Sequence, residues 1–117
     1  MKLWYSNSSP YARKARAVVQ YHQLQDHVEL LLTTSGLDKN SPHNLDNPLG
    51  RLPALQRENG EWLYNSSLIA EYLDNIGTQP SLYGNKETRW EILRLHYLAD
   101  GILENEISVA PEKCLRP

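Results

Sequence analysis

The stretch NPLGRLPALQRENGEWLYNSSLIAEYLDN, Asn47 to Asn75, decides the fold. Pro53 to Arg57 reads as a strand, Asn59-Gly60 as a two-residue hairpin turn, and Glu61 to Tyr64 as the returning strand. Asn65, Ser66 and Ser67 then offer caps for a helix whose apolar positions Leu68, Ile69, Tyr72, Leu73 and Ile76 share one face. Gly77 ends that helix.

Toward the N-terminus, Lys2-Leu-Trp-Tyr5 is an apolar-aromatic run that predicts a buried first strand. Ser8 and Ser9 offer an N-cap, and Pro10 sits at the first helical position, where its missing N–H is harmless. Ala12, Ala15, Val18, Val19 and either His22 or Gln23 follow at helical spacing, and the pattern closes near Leu24. Val28 to Thr33 is a second strand, because the space between Asp26 and Gly36 is too short for a mean-length helix. Thr34 to Asn47 is rich in Ser, Gly, Asn, Asp and Pro and predicts at most a short helical turn.

Toward the C-terminus, Gly77 to Asn85 is turn-rich and reads as a linker. Lys86 to about Val109 is a long helical pattern with Trp90, Leu93, Tyr97, Ile102 and Leu103 spread around it, which suggests contact on more than one side, and Pro111 is its expected stop. The order β-α-β followed by β-β-α predicts an α/β (α+β) sandwich with helices over a mixed sheet.

Composition excludes several functions. The 117 residues carry a net charge of −2, which gives no basic stripe for nucleic acid. No apolar run reaches the roughly 18 residues of a membrane span, and the N-terminus lacks a secretory pattern. One cysteine, Cys114, rules out an intrachain disulfide. His22, His27, His43 and His96 show no ligand spacing with one another or with acids, so no metal site is expected. These features together predict a cytoplasmic setting.

Three motifs in order, SSPYARKAR, NPLGRLPAL and NSSLIAEYL, resemble the N-terminal thioredoxin-like domain of a glutathione transferase. The resemblance spans Met1 to Tyr83. It implies a thioredoxin-like β-α-β-β-β-α sandwich with a four-stranded mixed sheet over residues 1–80. Residues 86–117 would then begin an all-helical second domain that is incomplete. It also implies a homodimer that binds glutathione as co-substrate, activates its thiol and directs it at a small electrophile, without metal, nucleic acid or membrane. A non-catalytic binding or interaction module with the same fold is the alternative.

In serine-type members, the residue matching Ser9 donates a hydrogen bond to the glutathione sulfur. A thiol near pKa 8.5 must lose roughly two units, about 2.7 kcal/mol, to be mostly thiolate at neutral pH. A hydrogen bond to a charged acceptor supplies roughly 1.5–3 kcal/mol, and a helix N-terminus about 0.3–1 more. Read without the resemblance, Ser8 or Ser9 is simply a cap, and Ser6 and Ser8 are near alternatives for the donor. Tyr5 is a further candidate, because other classes use a tyrosine hydroxyl from the end of the first strand. The cysteines of dithiol and monothiol relatives are absent from SPYA, and thiol–disulfide exchange needs such a thiolate.

The resemblance further implies a cis peptide at Leu52-Pro53, with the backbone of Leu52 pairing the cysteinyl part of glutathione as an added strand. Without the resemblance, a trans proline at a strand's first residue, a permitted place, is the favoured reading. Ser66 matches the serine that holds the γ-glutamyl carboxylate at a helix N-terminus. Asn65 stands where the family usually has an acid, so an amide oxygen replaces a charge.

Overall fold

The computed structural model describes residues 1–33 and 51–115, with side chains through residue 105. The polar stretch Thr34 to Asn47, with His43, lies outside the described residues, as do Asn47 to Gly50 of the second motif and the side chain of Cys114. The chain divides into two compact units, Met1–Ser81 and Leu82–Pro117.

In the first unit, β1 (Lys2–Tyr5), α1 (Pro10–Tyr21), β2 (Glu29–Leu32), β3 (Ala54–Gln56), β4 (Trp62–Tyr64) and α2 (Ser66–Ile76) follow in order. The sheet order is β2-β1-β3-β4. β1 pairs with β2 in parallel, Leu3 opposite Leu30, and with β3 antiparallel, Leu3 opposite Leu55. A parallel pair needs a crossover of a dozen or more residues, and α1 supplies it. β3 and β4 form the expected hairpin, Leu55 opposite Leu63. This is the four-stranded mixed sheet of the thioredoxin-like fold.

The turn of that hairpin differs from the two-residue type. Arg57 N–H bonds to the Glu61 carbonyl at 2.8 Å, Gly60 N–H bonds to the Arg57 carbonyl at 2.9 Å, and Gly60 has φ +89°. Three residues therefore cross between the strands, a turn closed by one left-handed residue, and glycine takes that conformation without a Cβ penalty.

Leu3 and Leu55, opposite each other in the sheet, cluster with Ala15, Val18 and Val19 of α1 and with Ile69, Ala70 and Leu73 of α2. Leu3, Leu55, Ile69 and Leu73 are wholly inaccessible, and burial of each such side chain stabilises by roughly 1.5–3 kcal/mol. Both helices thus lie over one face of the sheet. The predicted apolar face of α2 needs correction. Leu68 is 51% and Ile76 37% exposed, while Ser66, Ser67 and Asp74 are buried beside Ile69, Ala70 and Leu73. The buried arc is rotated toward polar positions, two of which meet α1: Ser67 Oγ accepts from Lys14 and Asp74 pairs with His22.

α1 ends at Tyr21, short of Leu24, with His22 as its C-cap and Gln23 left-handed at φ +55°. Gly77 does end α2, but in extended backbone, φ −72°, so conformational freedom is not its reason. A Cβ there would collide with the His22 ring.

In the second unit, Asn85 Oδ1 accepts from the Glu87 and Thr88 N–H groups, and the Asn85 N–H donates to Thr88 Oγ1. This cap starts α3 (Arg89–Leu115) three residues later than Lys86. Leu93 is buried, whereas Trp90, Leu95, Leu98 and Ile102 are more than half exposed. α3 also runs past Pro111, contrary to the expected stop. Proline's fixed φ is itself helical; it removes one hydrogen bond and crowds one carbonyl, at about 3 kcal/mol, without forbidding continuation.

Candidate functional site

The register alone brings the three motifs together. β1 runs antiparallel to β3, with Trp4 opposite Ala54, and β3 runs antiparallel to β4, with Ala54 opposite Tyr64. The C-terminal end of β1, the N-terminal end of β3 and the C-terminal end of β4 therefore share one edge of the sheet. Ser9 follows the first, Leu52-Pro53 precedes the second, and Asn65-Ser66 follows the third. The helices α1 and α2 both begin there.

Ser9 is the N-cap of α1, extended at φ −79° and ψ 116°. Its Oγ accepts the Ala12 N–H at 3.1 Å, and its carbonyl accepts the Arg13 N–H at 3.0 Å. A hydroxyl holds one proton and two lone pairs, so capping leaves the proton to donate. That proton meets no acceptor among the described residues. Ser9 is half-buried, Ser8 exposed and Ser6 buried, and the cap is made by Ser9 alone of the three. The Tyr5 ring is stacked under the Arg16 guanidinium, 4.4 Å from carbon to centroid.

The Leu52-Pro53 peptide is cis. Pro53 is buried and Leu52 half-buried, and no backbone hydrogen bond joins Leu52 to another described residue. Its N–H and C=O extend the line of β3 beyond Ala54, where an added strand would pair.

Asn65 caps α2 with its own backbone left-handed, φ +78°. Its Oδ1 accepts the Ser67 N–H at 2.9 Å and its carbonyl the Ile69 N–H at 3.0 Å. The amide oxygen is thus already engaged in capping. Ser66 is only 6% exposed, yet its hydroxyl bonds to no described residue. A near-buried hydroxyl at a helix start is suited to an anionic oxygen.

Sequence reasoning passed over two features. Lys14 Nζ donates to Ser67 Oγ at 3.4 Å, bringing a cation from α1 to the head of α2; the basic run Arg13-Lys14 hinted at charge but not at its address. His22 pairs with Asp74, Nε2 to Oδ1 2.8 Å, across 52 residues, and no local pattern could announce that. His96 also faces an acid, Asp100, at 3.8 Å one helical turn on, a spacing that was legible. These are pairs: among the described residues no group of three or more metal-ligating side chains occurs. Among the same residues no helix is long and apolar enough to cross a membrane.

Residues 8–76 match the family model for the glutathione S-transferase N-terminal domain. The chain is 30% identical to the uncharacterized GST-like protein YibF of Escherichia coli K12, covering 89% of this chain and 50% of that protein. It superimposes on a glutathione transferase family member of Pseudomonas fluorescens Pf-5 solved with bound glutathione, TM-score 0.86 and 34% identity, over 99% of this chain and 58% of that one. A glutathione S-transferase of Methylobacillus flagellatus KT, also with glutathione bound, gives TM-score 0.83 and 33% identity over 98% and 56%. The chain thus spans about half the length of the proteins it matches.

Proposed function

The chain belongs to the glutathione S-transferase family, and from that premise we propose that it binds glutathione and activates its thiol for conjugation to a small electrophile. The observation that carries this reading is Ser9: its oxygen caps α1 with a lone pair while its proton is left to donate at the helix mouth. Glutathione would lie along the open end of β3, its cysteinyl backbone pairing the N–H and C=O of Leu52 beside cis-Pro53. Its γ-glutamyl carboxylate would take the Ser66 hydroxyl at the start of α2, and its ammonium the neighbourhood of Asn65. Relatives solved with glutathione bound support this reading.

In this mechanism the thiol proton leaves to solvent, and the sulfur is stabilised as thiolate by the Ser9 O–H and by the field of α1. Sulfur then forms a bond to the electrophilic carbon, whose electron pair passes to a leaving group or to an adjacent acceptor. No protein base is required, since Ser9 donates throughout. The electrophile, a homodimeric assembly and a cytoplasmic setting belong to the same proposal; sedimentation of the full-length protein tests the dimer.

The test is retention on immobilised glutathione, followed by titration of the bound thiolate's ultraviolet absorbance. The wild type should show a bound-thiol pKa about two units below that of free glutathione, and Ser9→Ala should return about one to two of them. An unchanged value in Ser9→Ala would sink the catalytic reading. Asn65 favours a second reading, a non-catalytic binding module, because an uncharged amide already occupied in capping offers the ligand's ammonium less than a carboxylate would. That reading requires retention of glutathione with no lowering of its thiol pKa.

A further inference from the structure

At the end of α1 opposite Ser9, His22 is wholly buried, and both of its ring nitrogens are engaged. Nε2 lies 2.8 Å from Asp74 Oδ1 on α2, and the Gln79 backbone N–H donates to Nδ1 at 3.1 Å. A carboxylate can only accept and an amide N–H can only donate. The geometry therefore fixes the tautomer: the proton sits on Nε2 and the lone pair on Nδ1.

The segment after Gly77 is fastened to this ring and its surroundings. Thr78 Oγ1 donates to the His22 carbonyl at 3.1 Å, the Tyr21 hydroxyl donates to the Pro80 carbonyl at 2.8 Å, and Ser81 Oγ donates to Asp74 Oδ2 at 2.6 Å. Gly77 passes so close to the imidazole that a Cβ would strike it. Among the described residues, the ionisable groups in contact with the ring are Asp74 from α2 and the Tyr21 phenol from α1, whose ring stands edge-on at 4.7 Å.

We propose that His22 is a proton-operated clasp on the segment 77–81. A second proton can enter only at Nδ1, where it replaces the lone pair with an N–H aimed at the Gln79 N–H. The bond to Asp74 survives and gains charge assistance, so the ring stays with α2 while the segment loses its tether at Gln79. Acid thus loosens the exit of the first unit while the sheet remains folded. This inference does not depend on glutathione binding.

The test is amide hydrogen exchange on the full chain at about pH 8 and about pH 5.5, spanning the range in which imidazoles titrate, with long-range imidazole 15N correlations in parallel. At the higher pH, His22 should show the Nε2–H tautomer and the Gln79 amide should be protected. At the lower pH, after correction for intrinsic chemistry, Gln79 protection should fall about tenfold, the loss of one hydrogen bond, while the β3 amides keep theirs. His22→Asn offers an amide oxygen that takes no proton in this range, so its Gln79 protection should not vary with pH. If that variant fails to fold, the wild-type profile decides by itself. The Nδ1–H tautomer at high pH, no titration of His22 in the folded chain, titration without a change at Gln79, or loss at Gln79 only together with β3 would each overturn the clasp.

Discussion

The two ends of α1 handle polar groups in opposite ways. At the C-terminal end both nitrogens of His22 and both oxygens of Asp74 are bonded, and the residues that bond them come from three segments. At the N-terminal end, the Ser9 proton, the Ser66 hydroxyl and the Leu52 backbone have no partner among the described residues. Buried polar groups are ordinarily paired, so the closed end is satisfied within the protein, whereas the open end leaves groups available to water or, under the proposed function, to glutathione.

The comparison can be broken by substitution, beginning with the closed end. His22→Ala removes a buried ring and leaves Asp74 Oδ1 and the Gln79 N–H without it, so stability should fall by about 3–5 kcal/mol in urea denaturation. A loss below 1 kcal/mol would mean that the network is ornamental. Gly77→Ala pushes a methyl into the same ring and should destabilise by about 1–3 kcal/mol, with the Gln79 amide the first to lose protection.

At the open end the folding penalty should be smaller and the binding effect larger. Ser9→Ala removes one cap and should lower stability by about 1 kcal/mol, measured in the same urea series. Asn65→Asp keeps an oxygen for the Ser67 N–H and adds a charge, so calorimetry should find glutathione bound several-fold tighter, about 1 kcal/mol, with little change in melting temperature. The smallest effect belongs to the second unit. The Arg94 guanidinium, by hydrogen bond and then by charge, holds Glu91 below the usual carboxylate range. Any stability from that pair is present above Glu91's ordinary pKa and is lost as pH falls through the lowered one. Both side chains are exposed, so Arg94→Ala should leave the melting curve unmoved at neutral pH.

Local chemistry made much of this legible in advance. Pro10 after Ser9, Asn65 before two serines, and a Gly at 60 each act through neighbours in the chain, and each marks a boundary that the structure has. What escaped depends on contacts between distant residues. His22 reads as one more member of the apolar face of α1, because its acid lies 52 residues away. Gly77 reads as a conformational stop, although what it provides is clearance for a ring. Leu68 and Ile76 have the right period for the core, but α2 turns Ser67 and Asp74 toward partners on α1 and leaves those two exposed. Pro111 obeys a local rule that the backbone of α3 overrides.

The strand order carries a consequence for how the chain assembles its candidate site. The β3–β4 hairpin joins Ala54 to Tyr64, a local closure of the microsecond kind, whereas β1 reaches β3 by bringing Trp4 to Ala54, fifty positions away. The sheet edge with all three motifs exists only once that slow, long-range pairing is made. A half-formed molecule therefore has strands and a hairpin but no assembled candidate site, and under the proposed function retention on a glutathione column would double as an assay for completed folding.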